Sequence, residues 1–109
     1  MILFMVKASQ KPLALVTGAS SGIGAATARQ LAQAGYDLWL LARRGDRLQA
    51  LAEELHVQAQ VKISTVDLQD RGELNLFFQT HAESLQDVQV LINNAGLARG
   101  VEKPVGAGR

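Results

Sequence analysis

Cysteine is absent from all 109 residues, which excludes disulfide frameworks, thiolate metal sites and cysteine nucleophiles and is compatible with a reducing compartment. An excess of one charge is absent too. Eleven Lys and Arg stand against ten Asp and Glu, a net charge of +1, so neither a disordered tail nor a nucleic-acid footprint is suggested, and small molecules are the expected partners. There is no long hydrophobic run: Met1 to Lys7 is apolar, but it lacks a leading basic region and is too short for a secretory core or a membrane span. Residues 1–12 therefore read as a leader to a first strand, with no membrane partner and a cytoplasmic location as the expectation. Repeats, low-complexity tracts and interdomain linkers are lacking as well. With 48% apolar residues in this length, one domain with a single core is the upper bound.

What the chain does contain is centred on Thr17-Gly18-Ala19-Ser20-Ser21-Gly22-Ile23-Gly24. The stretch follows the apolar run Leu13 to Val16 and precedes an alanine-rich segment ending at Gly35, so it reads as a turn from strand into helix. Backbone N–H groups converge there at the positive end of a helix, and residues without a Cβ let a phosphate come close. Gly18, Gly22 and Gly24 suit a tight bend, close backbone approach, and close packing of helix on sheet. The ending lacks the Gly-Lys-Ser/Thr of a nucleotide-triphosphate loop.

Periodicity predicts strands at Leu13 to Thr17, Asp37 to Ala42, Ala59 to Val66 and Val88 to Ile92. The first helix is expected from Gly22 to about Ala34, with Ile23, Ala26, Thr27, Leu31 and Ala34 on its apolar face. A second starts in a capping-box-like pattern, Asp46 with Gln49, and carries Leu48, Leu51 and Leu55. A third opens on Asp70 with Glu73 and carries Leu74, Phe77, Phe78, His81 and Leu85 in one stripe. Phe77, Phe78 and His81 read as core or packed residues, and His56 as structural. Right-handed crossovers make this alternation an α/β, doubly wound parallel sheet with helices on both faces. Its strand order is 3-2-1-4 if the fold is of the dinucleotide-binding type. All four candidate motifs then fall at strand carboxyl ends: Thr17 to Gly24, Arg43-Arg44, Asp67-Leu68 and Asn93 to Gly96.

With these residues in view, the chain resembles the N-terminal part of the short-chain dehydrogenases/reductases. Thr17 to Gly24 matches that family's TGxxxGxG, and Asn93-Asn94-Ala95-Gly96 its NNAG. The resemblance implies a Rossmann-like domain, partial here over residues 13–100 and truncated after the fourth strand, with 101–109 as an irregular tail. It also implies cofactor contacts. Gly18, Ser20, Ser21, Gly22, Ile23 and Gly24 would form the pyrophosphate turn, Asp67 would accept from the adenine amino group, and Leu68 would shape the adenine pocket. Asn93, Ala95 and Gly96 would lie along the adenosine and nicotinamide side. Leu97 to Val101 resembles relatives acting on small 3-hydroxy acids.

Cofactor choice follows from charge. A ribose without the 2′-phosphate calls for a carboxylate at the end of the second strand, and a 2′-phosphate calls for cations. Ala42 stands at that position, followed by Arg43 and Arg44, so NADP(H) is expected over NAD(H), with Arg43 as main contact and Arg44 as support. Ser21 stands where some NADP-preferring relatives carry a basic residue. The family's catalytic tyrosine, lysine and serine have no match: Tyr36, the only tyrosine, is followed four residues later by Leu40. The expectation is a cofactor-binding part of an NADP(H)-dependent alcohol/carbonyl oxidoreductase, a fragment without turnover of its own, with no catalytic residue and no metal. A small alcohol or carbonyl substrate would serve only a complete enzyme, and the open edge of strand four invites self-association. The alternative is a non-catalytic dinucleotide-binding module.

Overall fold

The structure, a computed structural model, describes residues 11–94. Ala95, Gly96, the 97–101 segment, the tail and all but the last two leader residues lie outside the described residues. The elements run β1 (Leu13–Thr17), α1 (Gly22–Gln33), β2 (Asp37–Ala42), α2 (Gly45–Leu55), β3 (Val61–Thr65), α3 (Arg71–Thr80), α4 (Ala82–Leu85) and β4 (Val88–Asn93). All strand pairs are parallel, in the order β3-β2-β1-β4. This is the Rossmann-like α/β arrangement, with the topological switch between β1 and β4.

The two central strands are buried on both faces, as a continuous apolar run requires: β1 is buried from Ala14 to Thr17, and β2 throughout. Alternate side chains feed two separate cores. On one face Ala14, Val16, Leu38 and Leu40 pack against Ala28 and Ala32 of α1 and Leu48, Leu51 and Leu55 of α2. On the other, Leu15, Trp39 and Leu41 pack with Val66 and Phe77, and Leu85 of α4 closes against them. β4 serves both faces through an irregularity. Its register steps from Val88 to Val90 while β1 moves only from Leu13 to Ala14, so Gln89 is skipped. Val88 therefore joins the Trp39 face, and Val90 and Ile92 the other.

Five expectations are corrected. The buried line of α1 is Gly24, Ala28 and Ala32, while Ile23, Ala26 and Ala34 face solvent. The helix lies so close to the sheet that only the smallest residues, at i, i+4 and i+8, fit beneath it. α2 begins two residues earlier than Asp46 suggested: Arg44 is its N-cap residue, with no side-chain cap, and Asp46 falls inside the first turn. The third helix breaks at His81, whose backbone (φ −110°, ψ 20°) leaves the helical region before α4. Its ring there lies 4.7 Å from that of Phe77 and edge-on to Trp39 at 5.3 Å, so His81 is packed as expected. Phe78, expected in the core, is 47% exposed, because α3 turns only Phe77 fully inward. β3 is also shorter than Ala59 to Val66, both ends of that run being buried outside the strand itself.

Candidate functional site at the strand carboxyl ends

The glycine turn is built by three constraints. Gly18 takes φ 66°, a left-handed conformation that side chains disfavour. Gly24 lies against the Gly18 carbonyl and the Ala19 Cα so closely that any Cβ would overlap them. At Gly22, by contrast, a Cβ would meet nothing within 4 Å, so this glycine faces open space. Ser21 locks the turn: its backbone N–H and its hydroxyl both donate to the Gly18 carbonyl, at 3.1 and 2.8 Å. Its Oγ also accepts from the Gly24 N–H at 3.1 Å and its carbonyl from the Ala25 N–H, making it the N-cap of α1. The amides of Gly22 and Ile23 precede any intrahelical acceptor, so two donors remain at the positive end of the helix.

The other strand ends are tied to this turn. The Ala19 N–H donates to the Leu41 carbonyl at 3.1 Å, fixing the turn to β2. The Thr17 hydroxyl donates to Asn93 Oδ1 at 2.8 Å, joining the ends of β1 and β4. The Val66 N–H donates to the Ala42 carbonyl, and Asp67 follows with its Oδ1 accepting from the Gln69 N–H at 3.0 Å. Glu73 completes only half of a capping box. Its own N–H is capped by Asp70, but its carboxylate reaches past Asp70 to accept from the Asp67 N–H at 2.8 Å.

These ends surround an open cleft of about 450 Å³. Gly18, Ser20, Ser21, Arg43, Asp67, Leu68 and Asn93 all line it. Gly22, Ile23, Gly24 and Arg44 lie outside that lining, and Ile23 is 67% exposed. Sequence reasoning missed the cleft's apolar wall, formed by Leu15 and Leu41 from the sheet, Leu74 and Phe78 from α3 and Leu91 from β4. The only sequence signal for it was the apolar parity of each strand, which leaves undecided where a helix stops covering the sheet. Thr17, the tie to Asn93, could have been found as the polar residue ending an apolar strand.

A doubly wound parallel sheet, a glycine turn presenting free helix amides, and a half-apolar cleft at the switch point together define a dinucleotide-binding class of protein. The chain belongs to the short-chain dehydrogenase family, whose pattern it matches over residues 12–105. It is 42% identical over 86 residues to sulfoacetaldehyde reductase 2 of Chromohalobacter salexigens, covering 79% of this chain and 34% of that protein. An NADP-dependent 3-hydroxy acid dehydrogenase of Salmonella typhi is 37% identical over 90 residues, 83% of this chain and 36% of the relative. Among solved structures, a short-chain dehydrogenase from Sphingobium yanoikuyae in complex with NADPH superimposes with a TM-score of 0.72 at 38% identity, over 86% of this chain and 39% of that one. The chain thus spans about a third of the length of the curated relatives it matches. Among the described residues, no helix is long and apolar enough to cross a membrane.

Proposed function

We propose that this chain binds NADP(H) in the cleft and forms the cofactor-binding part of an NADP(H)-dependent alcohol or carbonyl oxidoreductase. One observation carries the cofactor choice. At the end of β2 the small Ala42 is buried where a ribose-binding carboxylate would stand, and Arg43 beside it is exposed, lines the cleft and forms no ion pair among the described residues. A free guanidinium there suits a 2′-phosphate. The residues present fit the rest of the group: open space at Gly22 and the free amides of Gly22 and Ile23 suit the pyrophosphate, with Gly18, Ser20 and Ser21 around it. Gly24 holds the helix against the turn. Asp67 would accept from the adenine amino group beside Leu68, and Asn93, with Ala95 and Gly96, would line the adenosine and nicotinamide side. When bound, the cofactor supplies or accepts a hydride.

The substrate reading is a small alcohol or carbonyl compound, and the Salmonella relative supports a 3-hydroxy acid. Self-association through the outer edge of β4 is part of the same proposal, supported by the place of β4 at the end of the strand order. A second reading is a dinucleotide-binding module without chemistry.

Calorimetric titration tests the cofactor choice. NADPH is expected to bind more tightly than NADH, and Arg43→Gln is expected to weaken NADPH about 10-fold or more, the size of one lost charge-assisted hydrogen bond, with little effect on NADH. Equal or tighter binding of NADH sinks the proposal. A Ser followed by Tyr-x-x-x-Lys encoded downstream of this stretch supports the enzyme reading, and their absence together with NADPH binding by this chain supports the module.

A further inference from the structure

The two arginines at the end of β2 are not equivalent. Arg43 follows the strand directly, lines the cleft and has no partner among the described residues. Arg44 is the N-cap residue of α2, stays out of the cleft lining, and places its Nε 3.5 Å from Asp46 Oδ1. Asp46 cannot follow Arg44 freely. It sits in the first turn of α2, where its carboxylate accepts from the Arg47 N–H and faces the positive end of the helix. That bond, with the nearby charge of Arg44, holds its carboxyl below the ordinary carboxylate range, so it is ionised at neutral pH. Arg44 thus has a fixed anion beside it, while Arg43 has none.

On the reading that the cleft takes NADP(H), we infer that Asp46 is a positioning residue for cofactor selectivity, competing with the 2′-phosphate for Arg44. The contact is long, single and exposed on both sides, with side chains 56% and 72% accessible, so it holds Arg44 only weakly and a phosphate has to displace it. A carboxylate at this point restrains affinity for the phosphorylated cofactor and leaves the unphosphorylated one untouched.

The test is calorimetric titration of the full chain with NADPH and NADH. Asp46→Asn is expected to tighten NADPH about twofold to fivefold at low salt, the scale of an exposed ion pair, with NADH unchanged. The gain shrinks as salt is raised past the screening range. In an Arg44→Gln background the same substitution has no effect. Asp46→Ser, which keeps an acceptor for the first turn without the charge, gives the same gain, and Trp39 emission reports that each variant is folded. Unchanged or weaker NADPH binding in both folded Asp46 variants overturns the inference, as does a gain that persists without Arg44. Arg43→Gln separates the two levels. If it weakens NADPH while the Asp46 variants do nothing, only this inference fails; if it leaves NADPH unchanged, the cofactor reading fails with it.

Discussion

The two faces of the sheet are packed by different means. Beneath α1 and α2 the core is a continuous layer of alanine, valine and leucine, and closeness is achieved by small residues: Gly24, Ala28 and Ala32 let α1 settle directly on β1 and β2. Beneath α3 and α4 the core is smaller and depends on one large side chain. Trp39 is 0% exposed, meets Phe77 at a tilt and His81 edge-on, donates from Nε1 to Ser64 Oγ at 3.0 Å and lies under the Lys62 ammonium, 4.1 Å from the ring. That filling stops short of β4, where Leu91 and Phe78 remain open. The same incompleteness makes the apolar wall of the cleft. One face gives the turn its rigidity, and the other gives the cleft its apolar floor.

The sharpest way to break this contrast is Trp39→Ala. Removing a fully buried aromatic is expected to cost about 3–5 kcal/mol in denaturant unfolding followed by circular dichroism, because no neighbour on that face can fill the space. Gly24→Ala probes the opposite kind of packing. Its new methyl presses on the Gly18 carbonyl, so about 1–3 kcal/mol of stability is lost. On the proposed cofactor reading, NADPH affinity falls with it as the turn shifts; a variant of wild-type stability would refute the close approach of α1. Leu91→Lys should change stability by no more than about 0.5 kcal/mol, as an exposed position does. Its visible effect is on sedimentation, where the proposed self-association through β4 predicts a smaller species than wild type.

The smallest effect concerns the seam between α1 and α2 on the well-packed face. There Arg29 Nε donates to Glu54 Oε2 at 2.6 Å and Nη2 to Oε1 at 3.1 Å. The Arg29 hydrogen bond and charge hold the Glu54 carboxyl below its ordinary value of 4.5. A depressed carboxylate pKa contributes stability that is present above the unfolded value and lost as pH falls through the folded one. Melting temperature should therefore decline on acidification below about pH 4.5, slightly less steeply in Glu54→Gln than in wild type.

Much of the fold was legible residue by residue. β1 and β2 fall where their apolar runs predict, and Leu48, Leu51 and Leu55 form the buried stripe of α2 that their spacing implies. The site was legible in part. Gly18, Ser20, Ser21, Arg43, Asp67, Leu68 and Asn93 were each named by their place at a strand end, and the sheet brings them to one cleft. The stripe expected on α1 was wrong because hydrophobicity points to Ile23, whereas the short distance between helix and sheet demands residues with almost no side chain. Phe78 was misread because a stripe drawn through one helix ignores that the helix breaks at His81 and that β4 lies beyond its cover.

The sequence by itself determined whatever depends on a few neighbouring residues. It specified the alternation of strands and helices, the bend at Gly18 and the placing of polar motifs at strand ends, since backbone preference and apolar period act locally. Only the tertiary structure decided which line of α1 turns inward, which of two adjacent arginines meets the cleft, and how far an apolar wall extends across β4. Those outcomes depend on distances between elements tens of residues apart, and such distances arise only when the parallel sheet has assembled and each helix has found the face it can cover.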